Sequence, residues 1–127
     1  MSDSESGGRK RGRLSRSGDF DRAYRDGRSH ANRHVVLYAF PREAEAPPGE
    51  ELRLGISVGR KVGGAVQRNK VKRAMRESFW SLADGLPVGY DFVLVGRTGV
   101  AELLESGGSG RLRESISELL QKWGEQA

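Results

Sequence analysis

The sequence predicts a single α+β domain in which helices pack on a sheet of about four strands. A chain of 127 residues is long enough to bury one hydrophobic core without disulfides or a structural metal. Apolar residues recur at strand-like and at helix-like spacing in separate segments, in the order α β β α β α. Helices and strands in this order are typical of an α+β sandwich with one sheet.

The domain is expected to occupy residues 13–124, between two short ends. Residues 1–12, MSDSESGGRKRG, contain no apolar residue after Met1, so burial offers nothing to offset the entropy of ordering them. We therefore predict a flexible tail, basic at its inner end. Residues 125–127 form the C-terminal end.

The first helix is predicted to begin at Ser17, whose hydroxyl can cap it, and to end at Gly27. Two strands follow, at residues 34–40 (HVVLYAF) and 52–58 (LRLGISV). An acidic, proline-containing loop over residues 42–51 is expected to connect them.

The second half of the chain is predicted to supply two helices and a buried strand. Residues 68–83 carry apolar side chains at helical spacing after a glycine-bearing turn, and residues 111–123 do so after a flexible turn at Gly107, Gly108 and Gly110. Between these helices, residues 90–95 (YDFVLV) are apolar except for Asp91, which is typical of a strand buried on both faces.

The charge of the chain points to a polyanionic partner. Lys and Arg number 22 against 17 Asp and Glu, a formal net charge of +5, and the sequence pI is about 10.0. Residues 60–76 contain only basic charged residues, which are Arg60, Lys61, Arg68, Lys70, Lys72, Arg73 and Arg76. For an arbitrary helix, a merely solvated basic face is the simplest interpretation, but so long a run without an acid favours a nucleic acid.

The predicted helix over residues 68–83 presents two different faces. At about 100° per residue, Val71, Met75, Ser78 and Leu82 point inward, and Asn69, Lys72, Arg73 and Arg76 lie opposite. Cations in the first turn are disfavoured by the positive amino end of a helix. Phosphate binding is therefore the expected reason for their presence.

Residues 60–77, RKVGGAVQRNKVKRAMRE, resemble the signature of the bacterial ribonuclease P protein family. That family shows a Lys/Arg-Lys-x-G-x-A-V-x-R-N-x-x-K-R-x-x-R-E pattern. The resemblance extends over residues 13–97 and includes Arg13-Leu14, Asp19-Phe20, Ala31-Asn32-Arg33 and Leu54-Gly55-Ile56-Ser57-Val58. The family often has arginine at the position of Lys70, and lysine lacks the planar two-pronged donor of arginine.

The resemblance implies a division of labour between two surfaces. A basic helix face would dock on the catalytic RNA subunit, using Lys61, Arg68, Asn69, Lys70, Lys72, Arg73 and Arg76. A cleft between the first helix and the sheet would hold the single-stranded 5′ leader of precursor tRNA, using Phe20, Tyr24, Tyr38, Ser57 and Arg60. It further implies a left-handed β-α-β crossover, catalysis by the RNA subunit, and magnesium held through that RNA rather than by the protein alone.

The residues themselves leave alternatives to these roles. Each aromatic taken singly is more simply explained by core packing, Phe20 in particular.

His30 and His34 lack a third ligand for a metal site. Gly59 to Gly64 has the gap of a phosphate loop, but Ala65 and Val66 replace the required Lys and Ser or Thr, so no nucleotide cofactor is expected. Asp19 and Asp21 fit helix-capping and dipole roles better than acid–base catalysis.

The resulting hypothesis is an RNA-binding subunit that assists endonucleolytic removal of the 5′ leader and is inactive as a nuclease by itself. The alternatives are a generic RNA chaperone or ribosome-associated protein and, more distantly, a DNA-binding helix module. The sequence has no apolar run long enough for a membrane span and no signal-peptide pattern at its start. We expect a cytoplasmic protein without a membrane partner.

Overall fold

The computed structural model describes residues 11–14, 17–42 and 52–126, and these form a sheet flanked by helices. The elements are β1 (Arg11–Arg13), α1 (Ser17–Asp26), β2 (Arg28–Ala31), β3 (Val35–Pro41), β4 (Leu52–Val58), α2 (Ala65–Ser81), β5 (Tyr90–Gly96) and α3 (Val100–Gln126). Short 3₁₀ turns follow β4 and α2. The predicted α+β class is confirmed.

The described strands form one mixed sheet in the order β1-β4-β5-β3-β2. β4 pairs in parallel with both β1 and β5, while β3 pairs antiparallel with β5 and β2. Adjacent parallel strands need a long connection, and α2 provides it between β4 and β5. The left-handed sense of this crossover stays a prediction from the family resemblance.

The two faces of the sheet are covered unequally. On β3, Val35, Leu37 and Ala39 belong to the main core, which α2 and α3 complete with residues such as Met75 and Trp123. Phe40, also on β3, belongs to a smaller core formed with Leu14, Ala23 and Val93. The ten-residue helix α1 covers this second face among the described elements. The domain therefore has three layers, with one thin outer layer.

The sheet has five strands where the sequence predicted about four. β1 includes Arg11 and Gly12, which the sequence assigned to the tail, and it pairs with Leu52–Leu54 through backbone hydrogen bonds. Three- and four-residue strands such as β1 and β2 are too short to show an apolar alternation. The remaining tail residues, 1–10, and most of the predicted acidic loop, 43–51, lie outside the described residues.

The basic helix α2 begins at Ala65, three residues earlier than predicted. Gly64, in an extended conformation, is its N-cap residue, so Ala65 and Val66 belong to the helix rather than to the glycine turn. Arg68 therefore lies in the first turn, whereas Lys70, Lys72 and Arg73 lie further along. The argument from the helix dipole consequently applies to Arg68 alone. The inward positions are confirmed for Val71, Met75 and Ser78, which are buried with Phe79; Leu82 is only partly buried.

The last helix is longer than predicted. α3 spans Val100–Gln126 and is interrupted at Gly108, whose φ of 73° and ψ of −175° are not helical and separate it into two helical segments. Val100, Ala101 and Leu103 are buried in the main core. Their packing accounts for the helical segment before the break, which the sequence did not predict, and the break itself falls in the glycine-rich segment that the sequence predicted as a turn. No described helix is long and apolar enough to cross a membrane.

One buried carboxylate joins four parts of the fold. Asp91 on β5 is 0% exposed. It accepts two hydrogen bonds from Arg53 on β4, at 2.9 and 2.6 Å, one from Arg22 on α1 at 3.3 Å and one from Arg42, just after β3, at 3.4 Å. The Arg22 guanidinium also lies 4.9 Å from the centre of the Phe40 ring. A buried carboxylate is tolerated only with such partners.

Replacing Asp91 by Asn should test this junction, because the amide keeps the shape and removes the charge. We expect the free energy of unfolding to fall by about 3–5 kcal/mol, the usual cost of breaking a buried ion pair from one side. Urea denaturation measures it. Asp84→Asn, an exposed carboxylate in the turn after α2, is the matched control and should change stability by less than about 0.5 kcal/mol. Equal effects of the two changes would contradict the assigned role of Asp91.

Candidate nucleic-acid interfaces

The sheet face under α1 is only partly covered. The register of β4, β5 and β3 places side chains of this face in three rows, which are Arg53–Asp91–Phe40, Gly55–Val93–Tyr38 and Ser57–Val95–Val36. Asp91, Phe40 and Val93 are buried. In the last row Ser57, Val95 and Val36 are each partly exposed. An open strip of sheet therefore remains beside α1.

The side chain of Phe20 on α1 packs on the sheet over Gly55, which has no side chain. A Cβ atom at Gly55 would lie 2.9 Å from the Cζ atom of Phe20 and 3.1 Å from the Cβ atom of Leu14. The Phe20 ring is partly exposed and packs against the smaller core. It therefore serves both roles considered from the sequence, as part of the core and as a wall of the open strip.

Three aromatic rings follow one another along this strip. The ring centres of Phe20 and Tyr24 are 6.4 Å apart, and those of Tyr24 and Tyr38 are 5.0 Å apart in an edge-to-face arrangement. Tyr24 is the most exposed of them, at 45%. Such rings, each with one face or edge toward solvent, suit stacking on unpaired bases.

A concave site of 350 Å³ lies between α1, β4 and α2. Its lining residues are Phe20, Asp21, Tyr24, Ile56, Ser57, Val58 and Lys72. Phe20, Tyr24 and Ser57 were predicted there, and Tyr38 adjoins the site through Tyr24. Arg60 is exposed beyond the end of β4 and is not in this lining. We call Phe20, Tyr24, Tyr38, Ser57 and Lys72 the aromatic cleft.

Lys72 differs from its predicted position. The sequence placed it on the outer face of α2, whereas the structure places it in the lining of the cleft, which also contains Asp21. At about 100° per residue, Lys72 lies about 20° from Phe79 around the helix axis, and because Phe79 is fully buried, Lys72 lies on the flank of the packing face. A single ammonium group in the wall can contact a phosphate while the rings contact bases.

The other predicted docking residues lie along α2 and the turn before it. Lys61, Asn69, Lys70 and Arg73 are exposed, and Arg68 and Arg76 are partly buried. The Nε atom of Arg68 is buried with no hydrogen-bond partner in the described part of the chain. Lys70 lines a groove toward α3 that also contains Glu77 and Glu105. We call Lys61, Arg68, Asn69, Arg73 and Arg76 the basic helix face.

The cations of this region differ from other surface cations in forming no ion pair with another described residue. Arg25 pairs with Asp26, Arg111 with Glu114 and Lys122 with Glu118, each within 4.0 Å. Across residues 11–14, 17–42 and 52–126, no ion pair involves any Lys or Arg of residues 60–76. Their positive charge is therefore left for an external polyanion.

The other sequence candidates do not form a metal site among the described residues. His30 lies in β2 and His34 in the turn before β3, and no group of three or more His, Asp or Glu able to hold a metal ion occurs in the parts of the chain that the structure describes. Asp19 lies 3.8 Å from Arg22, its neighbour on α1. These contacts are structural.

An α+β domain with an aromatic cleft and a basic helix whose cations form no ion pair among the described residues has the features expected of an RNA-binding domain. Comparison with known proteins agrees. The family model for ribonuclease P matches residues 9–124. The ribonuclease P protein component of Oceanobacillus iheyensis is 34% identical over 116 residues, covering 91% of this chain and 89% of the relative. That of Bacillus mycoides is 36% identical over 95 residues, covering 75% and 79%.

Solved structures show the same similarity. The chain matches the ribonuclease P protein of Thermotoga maritima with a TM-score of 0.73 and 33% identity, covering 87% of this chain and 96% of that one. For the Staphylococcus aureus ribonuclease P protein, the TM-score is 0.70 and the identity 33%, with 86% and 92% covered. The chain belongs to the ribonuclease P protein family, the protein component of the tRNA-processing ribonucleoprotein, and the resemblance found in the sequence is confirmed.

Proposed function

We propose that this chain binds two different RNAs on two surfaces. The RNA subunit of ribonuclease P binds the basic helix face, and the 5′ leader of precursor tRNA binds the aromatic cleft. The observation that carries the proposal is the arrangement of α2. Its outer face presents unpaired cations, while Lys72 on its inner flank lines the cleft. One helix therefore touches both proposed RNAs.

The cleft suits a single strand rather than a duplex. It is a strip bordered by α1, and its rings contact one another in sequence from Phe20 to Tyr38. Stacking accepts any base because every base has a π face. A leader that varies in sequence fits such a surface better than it fits a set of fixed hydrogen-bond donors.

In this proposal the protein contributes binding and orientation, and the RNA subunit carries out hydrolysis. Magnesium would enter the complex through the RNA subunit, which has the phosphate oxygens that this hard cation prefers. The side chains of the cleft are aromatic, hydroxyl and ammonium groups, which position a strand. Because the proposed substrate is precursor tRNA, we expect the protein to act in the cytoplasm.

Reconstitution tests this function. The purified chain, added to a bacterial ribonuclease P RNA at low magnesium concentration, should accelerate cleavage at the 5′ end of precursor tRNA. The chain alone, checked for contaminating nuclease, should not cleave. Cleavage by the RNA-free chain that a single carboxylate substitution abolishes would show that the protein itself is catalytic.

Tyr24→Ala should weaken the binding of precursor tRNA to the reconstituted holoenzyme, because the exposed ring is lost from the cleft. We expect a loss of about 1–3 kcal/mol, the value of one base–aromatic stack, for a tRNA with a leader of several nucleotides. Mature tRNA should bind unchanged. Tyr24→Phe keeps the ring and should keep the preference, so a preference that survives Tyr24→Ala would argue against stacking at this residue.

Arg73→Ala with Arg76→Ala should weaken binding of the RNA subunit and make that binding less sensitive to salt. Each lost phosphate contact should reduce the slope of log affinity against log salt by about 0.9 if the RNA resembles a duplex there. Affinity measured across a salt series gives both quantities. The preference of the holoenzyme for precursor over mature tRNA should persist. Unchanged affinity and slope in a folded variant would show that this face is not the docking surface.

A further inference from the structure

A second group of basic residues lies at the edge of the sheet where α2 begins. Arg97 directly follows β5, and its backbone N–H donates to the carbonyl oxygen of His34 at 2.9 Å. Its side-chain Nη1 donates to the carbonyl oxygen of Asn32, also at 2.9 Å. Both contacts hold Arg97 against the β2–β3 turn, where Arg33 is exposed.

This edge is continuous with the turn that leads into α2. Val58 at the end of β4 pairs with Gly96 at the end of β5, and Gly96 pairs with Val35 at the start of β3. Arg60 and Arg97 therefore follow the ends of β4 and β5, and Arg33 precedes the start of the neighbouring β3. Because neighbouring strands are about 4.8 Å apart, the backbone at these three strand ends spans about 10 Å.

Arg33 lies on the side of the sheet that α2 and α3 cover. Arg33 lines a depression of 470 Å³ together with Thr98, Glu102 and Ser106 around the start of α3. α3 packs with α2 in the main core, whereas Phe20 and Tyr38 of the aromatic cleft pack against the smaller core on the opposite face. The position of Arg33 thus favours the RNA that docks on α2 over the leader in the cleft.

Neither Arg33 nor Arg97 forms an ion pair with another described residue. Within the described ranges, no acid lies within 4.0 Å of the guanidinium of Arg33 or Arg97, although Glu102 borders the same depression. Both side chains are exposed. A planar guanidinium that already donates one hydrogen bond, as Arg97 does, is oriented in advance for a phosphate.

We propose that Arg33 and Arg97 extend the basic helix face along the sheet edge and bind the phosphodiester backbone of the RNA subunit. The inference rests on the proposed function, which supplies the RNA. It adds the β2–β3 turn and the β5–α3 connection to a docking surface that the sequence pattern confined to residues 60–76.

The test compares two double variants with the same loss of charge. Arg33→Ala with Arg97→Ala should weaken binding of the isolated RNA subunit at least tenfold and lower the salt slope by about 1.8, as for two phosphate contacts. Arg25→Ala with Arg111→Ala removes two exposed arginines from α1 and α3 and should leave the slope unchanged. Arg33→Ala alone removes no side-chain hydrogen bond or ion pair among the described residues, and it should give about half the change in slope.

The outcomes separate this inference from the function on which it rests. If the wild-type chain binds the RNA subunit and Arg73→Ala with Arg76→Ala weakens it, but the edge variant matches the Arg25/Arg111 control, the edge is not part of the docking surface. A loss confined to precursor tRNA binding by the holoenzyme would assign the edge to the substrate and overturn the proposal. If the wild-type chain binds no ribonuclease P RNA, both proposals fail together.

Discussion

The position of α1 depends on the buried carboxylate of Asp91. This group draws Arg22 of α1, Arg53 of β4 and Arg42 beyond β3 to one point on β5. α1 is thereby attached at the row that Asp91 shares with Phe40. A helix of ten residues is about 15 Å long, and from that attachment it leaves the row of Ser57, Val95 and Val36 open. The cleft exists because a helix this short covers only part of the sheet face on which it packs.

The two proposed RNA sites are coupled through rigid elements rather than through a flexible loop. Phe20 rests over Gly55 of β4, and β4 continues through a short turn into α2. On α2, Met75 and Phe79 are fully buried in the main core. The distance between the cleft and the basic helix face is therefore set by packed side chains, so that docking of one RNA fixes where the other strand must lie.

The parts of the fold that the sequence could predict are those with a complete local pattern. The sequence of β4 alternates strictly, that of β5 is nearly all apolar, and Gly27 follows the last residue of α1. The basic segment over residues 60–76 predicted most of the outward cations of α2, and the apolar spacing from residue 68 predicted the helix itself. In each case the tertiary structure agrees with the local preference, as expected where no function requires otherwise.

The missed features depend on contacts between distant residues. β1 pairs through its backbone with a strand about forty residues away, and the first half of α3 is helical because Val100 and Leu103 find a core. In the sequence, Asp91 is only a charged residue inside an apolar strand. Its three arginine partners come from separate segments of the chain, so no local pattern connects them to it. The place of Lys72 in the cleft follows from the packing of α2 against the sheet, and the place of Arg33 and Arg97 near Arg60 follows from strand register. Residue spacing alone gives neither.

The central claim is that opposite sides of this sheet meet different RNAs, and single-cysteine crosslinking tests it directly because the chain contains no cysteine. A photoreactive group would be attached at Ser57→Cys in the cleft or at Asn69→Cys on the basic helix face, in the holoenzyme bound to precursor tRNA. The account predicts crosslinks from position 57 to the 5′ leader and from position 69 to the RNA subunit. Crosslinks from both positions to the same RNA would contradict it.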